Sequence, residues 1–356
     1  MMPMTSTITG RVPDHLYIEI TDQCNLRCKH CYLSAGPDGS RMIEGALIQK
    51  ALANYAEIGG HSVAFSGGEP LLHPDLLNFV AFAGLQGLHA TVVTNGTLLQ
   101  EPVDEFLLNC GATLAISVEG PDAETHDAIR GAGSFKQVIA MLDRIMARGA
   151  QDSLIICFTP TRQNVHTLFS LAAWLSRNGY RRLYISLLEE RGRELGNKLA
   201  LSLDHIGRVQ LLTQLSLLLT ATDLNIEIDA GHLRYFFNRL LYGTADRDPM
   251  ESTLRISPSG QVYLTAYIDD AQFSLGNLNE KSLLACWQTG RYHNLLKEAE
   301  KRGECRLPEC KNCYYWHVCA GGNPVRAYAM HGTFSLPDDL CEAKTVFLNR
   351  WYSASC

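Results

Sequence analysis

The sequence predicts an α/β fold, with a parallel sheet covered by helices up to about Asp229 and a smaller cysteine-rich region after it. Short apolar runs alternate with amphipathic segments throughout the first part of the chain. Apolar residues make up 46% of the 356 residues and charged residues 19%, so a sizeable core can form and global disorder is excluded. The 12 cysteines are concentrated near the two ends of the chain. In a protein of this size, clustered cysteines indicate metal ligands rather than disulfides.

Six strand-and-helix units are predicted in succession. The strands are Leu16–Ile20, Ser62–Ser66, Ala90–Thr94, Leu114–Val118, Leu154–Thr159 and Leu183–Leu187. The helices are Ala46–Ile58, Leu76–Leu85, Glu101–Asn109, Phe135–Arg148, Thr167–Asn178 and Ser202–Thr220. Strands joined through helices pair in parallel by right-handed crossovers. Such units form either a partial barrel or an open doubly wound sheet, and in both the loops after the strands build the active site.

The pattern changes after Asp229. Leu254–Ile256 and Gln261–Ile268 predict a hairpin, and helices are predicted at Ser282–Thr289 and Tyr292–Lys301. A cysteine-rich stretch follows. A small region of this kind is typically stabilised by a metal.

Charge and hydropathy exclude several classes of protein. The net charge is -6 and no Lys/Arg cluster is present, which argues against nucleic acid or an anionic membrane as the main partner. Met1–Arg11 has neither a basic nor an apolar signal region. Val209–Thr220, the most apolar stretch, is too short and too polar to span a bilayer. We therefore expect a cytoplasmic protein.

Cys24, Cys28 and Cys31 lie on one short segment directly after the first strand. Three thiolates can hold three irons of a [4Fe–4S] cubane and leave the fourth iron without a protein ligand. An open coordination position is what a catalytic metal site needs. A zinc loop with a distant fourth ligand is the alternative, although this spacing is a poor match to the paired spacing of zinc sites.

This Cys-x3-Cys-x2-Cys segment resembles the signature of the radical S-adenosylmethionine (SAM) superfamily, in which the residue before the third cysteine, here His30, is usually aromatic. The resemblance covers roughly residues 14 to 225 and implies a partial (β/α)6 TIM-like barrel rather than an open sheet. It implies a cluster whose free iron chelates the methionine end of SAM. Reductive cleavage of SAM then yields a 5′-deoxyadenosyl radical, which abstracts a substrate hydrogen.

Further segments resemble the family's SAM site. Gly67, Gly68 and Glu69 follow the second strand, and the resemblance implies that the glycines let backbone approach the ligand while the carboxylate meets the methionine ammonium. The third strand ends at Thr94 and Asn95, as it does in many members. Relatives contact the SAM carboxylate and ribose at positions that correspond to Ser117 and Glu119.

Three arginines are additional candidates at the same barrel mouth. Arg130 would add a guanidinium to a carboxylate, and a solvent-facing helix arginine is an equal alternative. Arg191 and Arg193 follow the sixth strand, where a simple charged loop is the alternative.

The second cysteine group contains Cys310, Cys313 and Cys319, with Cys341 further on. Four thiolates close a cubane and leave no open iron. This region resembles the C-terminal SPASM extension of radical SAM enzymes, as do the preceding hairpin and the segment Leu275–Leu278. We therefore predict a radical SAM domain at residues 1–235 and a small α+β SPASM-like domain at residues 236–356.

The extension departs from the family pattern at Thr265 and Asn323, where cysteines of a first auxiliary cluster are expected. Neither side chain replaces a thiolate, so we expect two [4Fe–4S] clusters, one that binds SAM and one auxiliary. Cys305 is the alternative to Cys341 as the fourth auxiliary ligand. Zinc is the alternative occupant of that site.

The remaining cysteines are expected to be small buried or inert thiols: Cys110, Cys157, Cys286 and Cys356. Cys286 lies on an apolar helix face and is expected in the core. Cys157 lies in the fifth strand, and if it points into the barrel it could donate a hydrogen atom to a substrate radical.

The resemblance implies a radical SAM oxidoreductase served by an external one-electron reductant of flavodoxin or ferredoxin type. A SPASM-like extension favours modification of a ribosomally made peptide, by oxidative crosslinking, thioether formation or a related reaction. The chain begins almost at its first strand, so leader recognition would need a separate peptide-binding protein. The alternatives are a sugar or aminocyclitol dehydrogenase or epimerase and a tetrapyrrole side-chain enzyme; a non-catalytic metal-stabilised binding protein is a remote third.

Overall fold

A computed structural model describes residues 12–244, 253–265, 269, 271–289, 294–295, 297–299, 301–302 and 306–354. Cys305, Cys356 and the predicted end of the hairpin at residues 266–268 lie outside the described residues, as do parts of the predicted helix at 292–301.

Ten described strands form one sheet. They are β1 (His15–Thr21), β2 (Ser62–Gly67), β3 (His89–Thr94), β4 (Thr113–Ser117), β5 (Leu154–Phe158), β6 (Arg182–Ile185), β7 (Glu227–Asp229), β8 (Thr253–Ile256), β9 (Gln261–Leu264) and β10 (Ser274–Asn277). Their spatial order is β10-β9-β8-β1-β2-β3-β4-β5-β6-β7. Neighbouring strands from β1 to β7 pair in parallel.

The strand order confirms the partial barrel. In a doubly wound sheet the order reverses at a switch point, whereas β1 to β7 follow one another in sequence across this sheet. The carboxyl ends of these strands therefore lie side by side along one edge, where the predicted site residues follow them. β7 was not predicted, because Glu227–Asp229 is short and has two acidic residues out of three.

The predicted hairpin forms, but it is not separate from the barrel. β8 and β9 pair antiparallel, and β8 also pairs in parallel with β1 through Leu16 and Leu254. The sheet thus runs continuously from the barrel into the C-terminal region.

The described helices pack outside the strands and in the C-terminal region. They are α1 (Gly45–Glu57), α2 (Leu76–Leu85), α3 (Val103–Asn109), α4 (Ala123–Arg130), α5 (Ser134–Ala147), α6 (Leu168–Arg177), α7 (Glu194–Leu201), α8 (His205–Thr220), α9 (Arg234–Tyr242), α10 (Leu283–Trp287), α11 (Trp316–Cys319), α12 (Pro324–His331) and α13 (Cys341–Ala354).

The predicted start of the helix at Ser202–Thr220 is wrong by three residues. Asp204 has an extended backbone, and its carboxylate accepts a hydrogen bond of 2.8 Å from the Gly207 amide. It is therefore the N-cap of α8, and Ser202 ends the preceding helix α7 instead.

Successive side chains of each barrel strand point alternately to the helix-facing core and to the barrel interior. Leu16, Ile18 and Ile20 of β1 are fully buried in the core, and each such side chain contributes about 1.5–3 kcal/mol by burial. Tyr17 and Glu19, between them, therefore point to the opposite, concave face. No helix in the described part of the chain is long and apolar enough to cross a membrane.

Candidate active site and auxiliary metal centre

The three N-terminal cysteines lie on the loop between β1 and α1. Cys24 and Cys28 are buried and Cys31 is half-buried. The loop is held by its own backbone, with the Cys24 amide donating to the Gly36 carbonyl at 3.0 Å and the Cys31 amide donating to the Cys28 carbonyl at 3.3 Å. The protein thus holds three thiols at the carboxyl edge of the sheet.

The Gly67-Gly68-Glu69 segment packs directly against this loop. The Gly68 amide donates to the Thr21 carbonyl at 2.7 Å, and the Glu69 amide donates to the Gln23 carbonyl at 2.8 Å. A Cβ atom on Gly68 would lie 2.1 Å from the Gln23 carbonyl oxygen. The close approach of the two loops therefore requires glycine at position 68.

Glu69, Thr94 and Asn95 form one buried cluster. One Glu69 carboxylate oxygen accepts hydrogen bonds from the Thr94 hydroxyl at 2.7 Å and the Leu71 amide at 3.2 Å. The other accepts from the Asn95 amide at 2.9 Å. Burial raises the pKa of Glu69, and these donors act in the opposite direction. The side chain is therefore fixed in one orientation next to the cysteine loop.

Nitrogen donors face two of the cysteine sulfurs. Cys24 Sγ lies 3.4 Å from the Leu26 amide and 3.9 Å from Asn95 Nδ2, and Cys28 Sγ lies 3.9 Å from Arg130 Nη1. Such donors stabilise thiolates that bind iron. The donor chemistry of the loop therefore fits an iron–sulfur cluster held by three cysteines.

Glu119 is fully buried at the end of β4 and is surrounded by donors. Arg130 Nε and Nη2 lie 2.9 and 2.6 Å from one carboxylate oxygen, and the Thr159 amide lies 3.0 Å from the other. His30 Nε2 approaches the first oxygen at 3.4 Å. Burial opposes ionisation, but Arg130 and His30 bring the pKa of Glu119 down to about 2. Glu119 is therefore an anion held in place by the cysteine loop and α4.

Arg130 does not face solvent, so that alternative is wrong. It is the last residue of α4, only 11% of its side chain is exposed, and it joins Glu119 to Cys28. The Asp122 carboxylate caps the start of this helix by accepting a hydrogen bond of 2.8 Å from the Thr125 amide. The Lys29 amide donates to the Ile129 carbonyl at 2.9 Å, which ties the end of the helix to the cysteine loop.

Ser117 and Cys157 are register partners on β4 and β5. Cys157 is half-buried and alternates with Ile156 and Phe158, which belong to the helix-facing core, so it points to the concave face. Burial and the neighbouring Glu119 raise its pKa to about 12. Cys157 therefore has the orientation that a hydrogen-atom donor requires. Its role as a donor stays a prediction.

Arg191 and Arg193 are not a simple charged loop. Arg193 Nη1 donates to the Cys28 carbonyl at 2.8 Å, and its backbone amide donates to the Cys31 carbonyl at 2.9 Å. The guanidinium of Arg191 lies over the Tyr32 ring at 4.5 Å. Both arginines therefore support the cysteine loop from the far side of the barrel mouth.

Sequence reasoning missed a buried ion pair across the first and eighth strands. Arg255 Nη1 lies 3.0 and 3.2 Å from the two Glu19 oxygens, and both residues are fully buried. The Arg255 guanidinium also lies over the Tyr263 ring at 4.6 Å. A signal was present, because Leu-Tyr-Ile-Glu-Ile and Leu-Arg-Ile each place a charge inside a predicted strand.

The second cysteine group surrounds one cavity. Cys310, Cys313, Cys319 and Cys341 line it together with aromatic residues and Lys344. Cys319 ends α11, where Ala320 turns left-handed, and Cys341 begins α13. Four thiols around one space fit a cubane with one cysteine per iron. Across the part of the chain that the structure describes, no three His, Cys, Asp or Glu side chains are placed to hold a single metal ion.

Of the two positions that depart from the SPASM pattern, Asn323 has a structural role instead. Asn323 is the N-cap of α12, and its Oδ1 accepts a hydrogen bond of 3.0 Å from the Arg326 amide. Thr265 is buried directly after β9, with a φ of 100°. Cys286 is fully buried, which confirms the prediction for that residue, and Cys110 is exposed at the end of α3.

Comparisons with known proteins agree with this geometry. The radical SAM superfamily matches residues 18–175, and the SPASM iron-sulfur cluster-binding domain matches residues 249–314. An AdoMet-dependent heme synthase of Nitratidesulfovibrio vulgaris is 27% identical over 348 residues, 92% of this chain and 91% of that protein. A PqqA peptide cyclase of Xanthomonas campestris is 28% identical over 343 residues, 93% and 87% of the two chains.

Solved structures share the fold. The structure of anSMEcpe with bound AdoMet and a Cp18Cys peptide has a TM-score of 0.74 and 20% identity, and it covers 96% of this chain and 97% of its own. The part of the chain matched by the SPASM domain includes Cys310 and Cys313 and ends before Cys319 and Cys341.

Proposed function

We propose that this chain, which belongs to the radical SAM superfamily and carries a SPASM domain, oxidises its substrate by radical chemistry. The two domains together imply SAM and [4Fe–4S] clusters. The observation that carries this proposal is the pair of cysteine sets, three thiols on the loop at the barrel mouth and four around the C-terminal cavity. When bound, the first cluster and SAM supply a 5′-deoxyadenosyl radical, and the second centre supplies one-electron redox chemistry. A net oxidation needs both.

The residues of the barrel mouth would hold these groups as follows. Cys24, Cys28 and Cys31 hold the first cluster. Glu69 receives the methionine ammonium, since its carboxylate already faces the cysteine loop and is fixed by Thr94. The glycines at 67 and 68 bring backbone close to the ligand.

Arg130 and Glu119 act on the other side of the site. Glu119 is saturated with donors on one oxygen, so its second oxygen, which accepts only the Thr159 amide among the described contacts, is the one available to a ribose hydroxyl. Arg130 holds Glu119 in place and reaches toward Cys28.

Cys310, Cys313, Cys319 and Cys341 would hold the auxiliary centre. We propose that Thr265 and Asn323 leave the chain with two clusters in total. The external reductant is a one-electron carrier of flavodoxin or ferredoxin type.

The substrate we propose first is a side chain of a ribosomally made peptide. The support is the likeness to a PqqA peptide cyclase over 93% of this chain. A separate leader-binding protein would deliver such a peptide. The second candidate is a tetrapyrrole side chain, which is supported by the similarity to an AdoMet-dependent heme synthase over 92% of this chain.

Metal analysis and mass spectrometry test the proposal. Anaerobically reconstituted protein should hold about eight irons, and the C24A/C28A/C31A variant should keep about four and form no 5′-deoxyadenosine. A wild-type content near twelve irons, or zinc in the C-terminal site, would contradict it. Incubation with a precursor peptide encoded beside the gene, or with iron coproporphyrin III, then separates the two substrate classes by the mass of the product.

A further inference from the structure

The cavity of the four C-terminal cysteines has a buried lysine in its wall. Lys344 lies on α13 about one helical turn beyond Cys341 and lines the same cavity as all four thiols. Only 3% of its side chain is exposed. Removing an ammonium from water costs several kcal/mol unless a partner compensates for it, so a lysine at this place needs an explanation.

Its partner is a carboxylate that is buried as deeply. Lys344 Nζ lies 2.7 Å from Asp338 Oδ2, and 1% of the Asp338 side chain is exposed. The same carboxylate accepts hydrogen bonds from the Asn323 amide at 2.9 Å and the Leu340 amide at 3.2 Å. A Cβ on Gly322 would lie 2.1 Å from Asp338 Oδ2, so the chain leaves room for this carboxylate by placing glycine there. The ion pair is built into the loop that follows Cys319.

A second buried cation lies close to the same thiols. Arg302 is 4% exposed, and its Nη1 donates to the Phe334 and Leu336 carbonyls at 2.6 and 2.5 Å. Its electrostatic neighbours are Asp338, Cys310 and Cys319. Its Nε–H has no acceptor among the described residues. Among the buried charges that act on these thiols, the cations Lys344 and Arg302 therefore outnumber the carboxylate Asp338.

This imbalance has a consequence for any cluster that four thiolates hold. Such a cluster is an anion, and reduction adds one more negative charge. A desolvated cation in the wall stabilises the reduced form more than the oxidised form, because the interaction is screened less there than in water. The surroundings of the cysteine ligands thus shift the reduction potential upward.

We infer that Lys344, with Arg302 and only partly balanced by Asp338, raises the reduction potential of the auxiliary centre so that it can take up an electron from the oxidised substrate. The inference rests on the proposed function, since it requires a cluster at the four cysteines. Lys344 acts on the auxiliary centre through its charge and does not contact the substrate. Oxidation of the substrate radical releases one electron and one proton, and the electron reduces the auxiliary centre.

The test is a potentiometric titration followed by electron paramagnetic resonance. The full chain with C24A/C28A/C31A is used as the background, so that the signal comes from the auxiliary centre alone. K344M removes the buried charge, K344R keeps it, and K311M is the matched control. Lys311 is next in sequence to Cys310 but is exposed, so solvent screens its charge.

We expect K344M to lower the potential. At the midpoint of the background protein, the ratio of oxidised to reduced centre should rise about tenfold, equivalent to about 59 mV for a one-electron couple. K344R and K311M should stay near the background value. An unchanged midpoint in K344M with an intact four-iron signal overturns the inference, as does a K344R shift as large as that of K344M, which would indicate packing rather than charge.

D338N provides a second reading if K344M does not retain its irons. Removal of the balancing carboxylate should move the potential upward, and no shift or a downward shift rejects the role of local charge. A background chain that holds no iron refutes the auxiliary cluster of the proposed function. A chain that holds four irons but ignores Lys344 refutes only the present inference.

Discussion

Arg130 binds Glu119 through two nitrogens, Nε at 2.9 Å and Nη2 at 2.6 Å from one carboxylate oxygen, while its Nη1 lies 3.9 Å from Cys28 Sγ. Two buried charges at the ends of α4 and β4 are thereby connected to a cysteine that lies 102 residues away in the sequence. Both the stability of the protein and the proposed SAM site should therefore depend on this contact.

Loss of Arg130 should destabilise the protein strongly. R130M leaves the buried Glu119 carboxylate without its cation, and breaking a buried pair in this way costs about 3–5 kcal/mol. Urea denaturation under anaerobic conditions measures the effect. R181M is the control, because Arg181 and its partner Asp152 are 55% and 75% exposed and such a pair contributes about 0–1 kcal/mol. Equal losses in the two variants would disagree with a structural role for the Arg130–Glu119 pair.

Loss of Glu69 should weaken SAM binding. E69A removes the charged acceptor that we propose for the methionine ammonium, and a charge-assisted hydrogen bond is worth roughly 1.5–3 kcal/mol. The dissociation constant for SAM, measured by calorimetry on the reconstituted protein, should rise roughly 10- to 150-fold. E57A, at the exposed end of α1, is the matched control and should bind SAM as the wild type does. Unchanged affinity in E69A would remove Glu69 from the site.

His126 should make stability fall below neutral pH. It is fully buried, its Nδ1 accepts the Glu119 amide at 3.1 Å, and burial lowers its pKa from 6.5 to about 4. Between these values the unfolded chain binds a proton that the folded chain does not. Unfolding is therefore favoured as the pH falls from about 6.5 towards 4.

The size of the loss in stability follows from the lowered pKa of His126. The His126 contribution to the free energy of unfolding should be about 2 kcal/mol smaller at pH 5 than at pH 7. H126N keeps an acceptor near the position of Nδ1 and cannot take up the proton, so its pH dependence should be weaker by that amount. Parallel pH profiles from urea denaturation of the two proteins would show that His126 does not carry the effect.

Cys157 and the auxiliary cysteines distinguish oxidation from epimerisation. If the reaction is oxidative, C310A or C313A should stop product formation while 5′-deoxyadenosine still forms, and C157A should have little effect. If the reaction is an epimerisation, C157A should stall the substrate radical, and wild-type product should acquire solvent deuterium. We expect oxidation, because an epimerisation has less need for a second cluster.

Mass spectrometry measures both the product and 5′-deoxyadenosine, and so distinguishes oxidation from epimerisation. C110A is the control for thiol loss, since Cys110 is exposed at the end of α3. Full product formation by protein shown to lack the auxiliary cluster would reject an electron-relay role for that cluster.

Much of the candidate site could be predicted from the sequence because its chemistry is local. Cys24, Cys28 and Cys31 lie within eight residues, and the Gly-Gly-Glu segment follows a strand with a clear apolar pattern. Spacing and residue type alone restrict what such segments can bind. The alternation of strands and helices likewise determined an α/β fold with a parallel sheet, since each apolar run needs a crossover to reach the next.

The contacts between distant residues were decided only by the tertiary structure. Glu19 and Arg255 are 236 residues apart, and they meet because β8 pairs in parallel with β1. Arg193 supports the cysteine loop, 165 residues before it, because β6 lies across the barrel mouth. Strand order and register set which charged groups become neighbours in a water-free interior, and no local pattern in the sequence contains that information. Residue types and their spacing determined the candidate site's cysteine and carboxylate groups. Burial and strand pairing determined which charged side chains lie next to those groups.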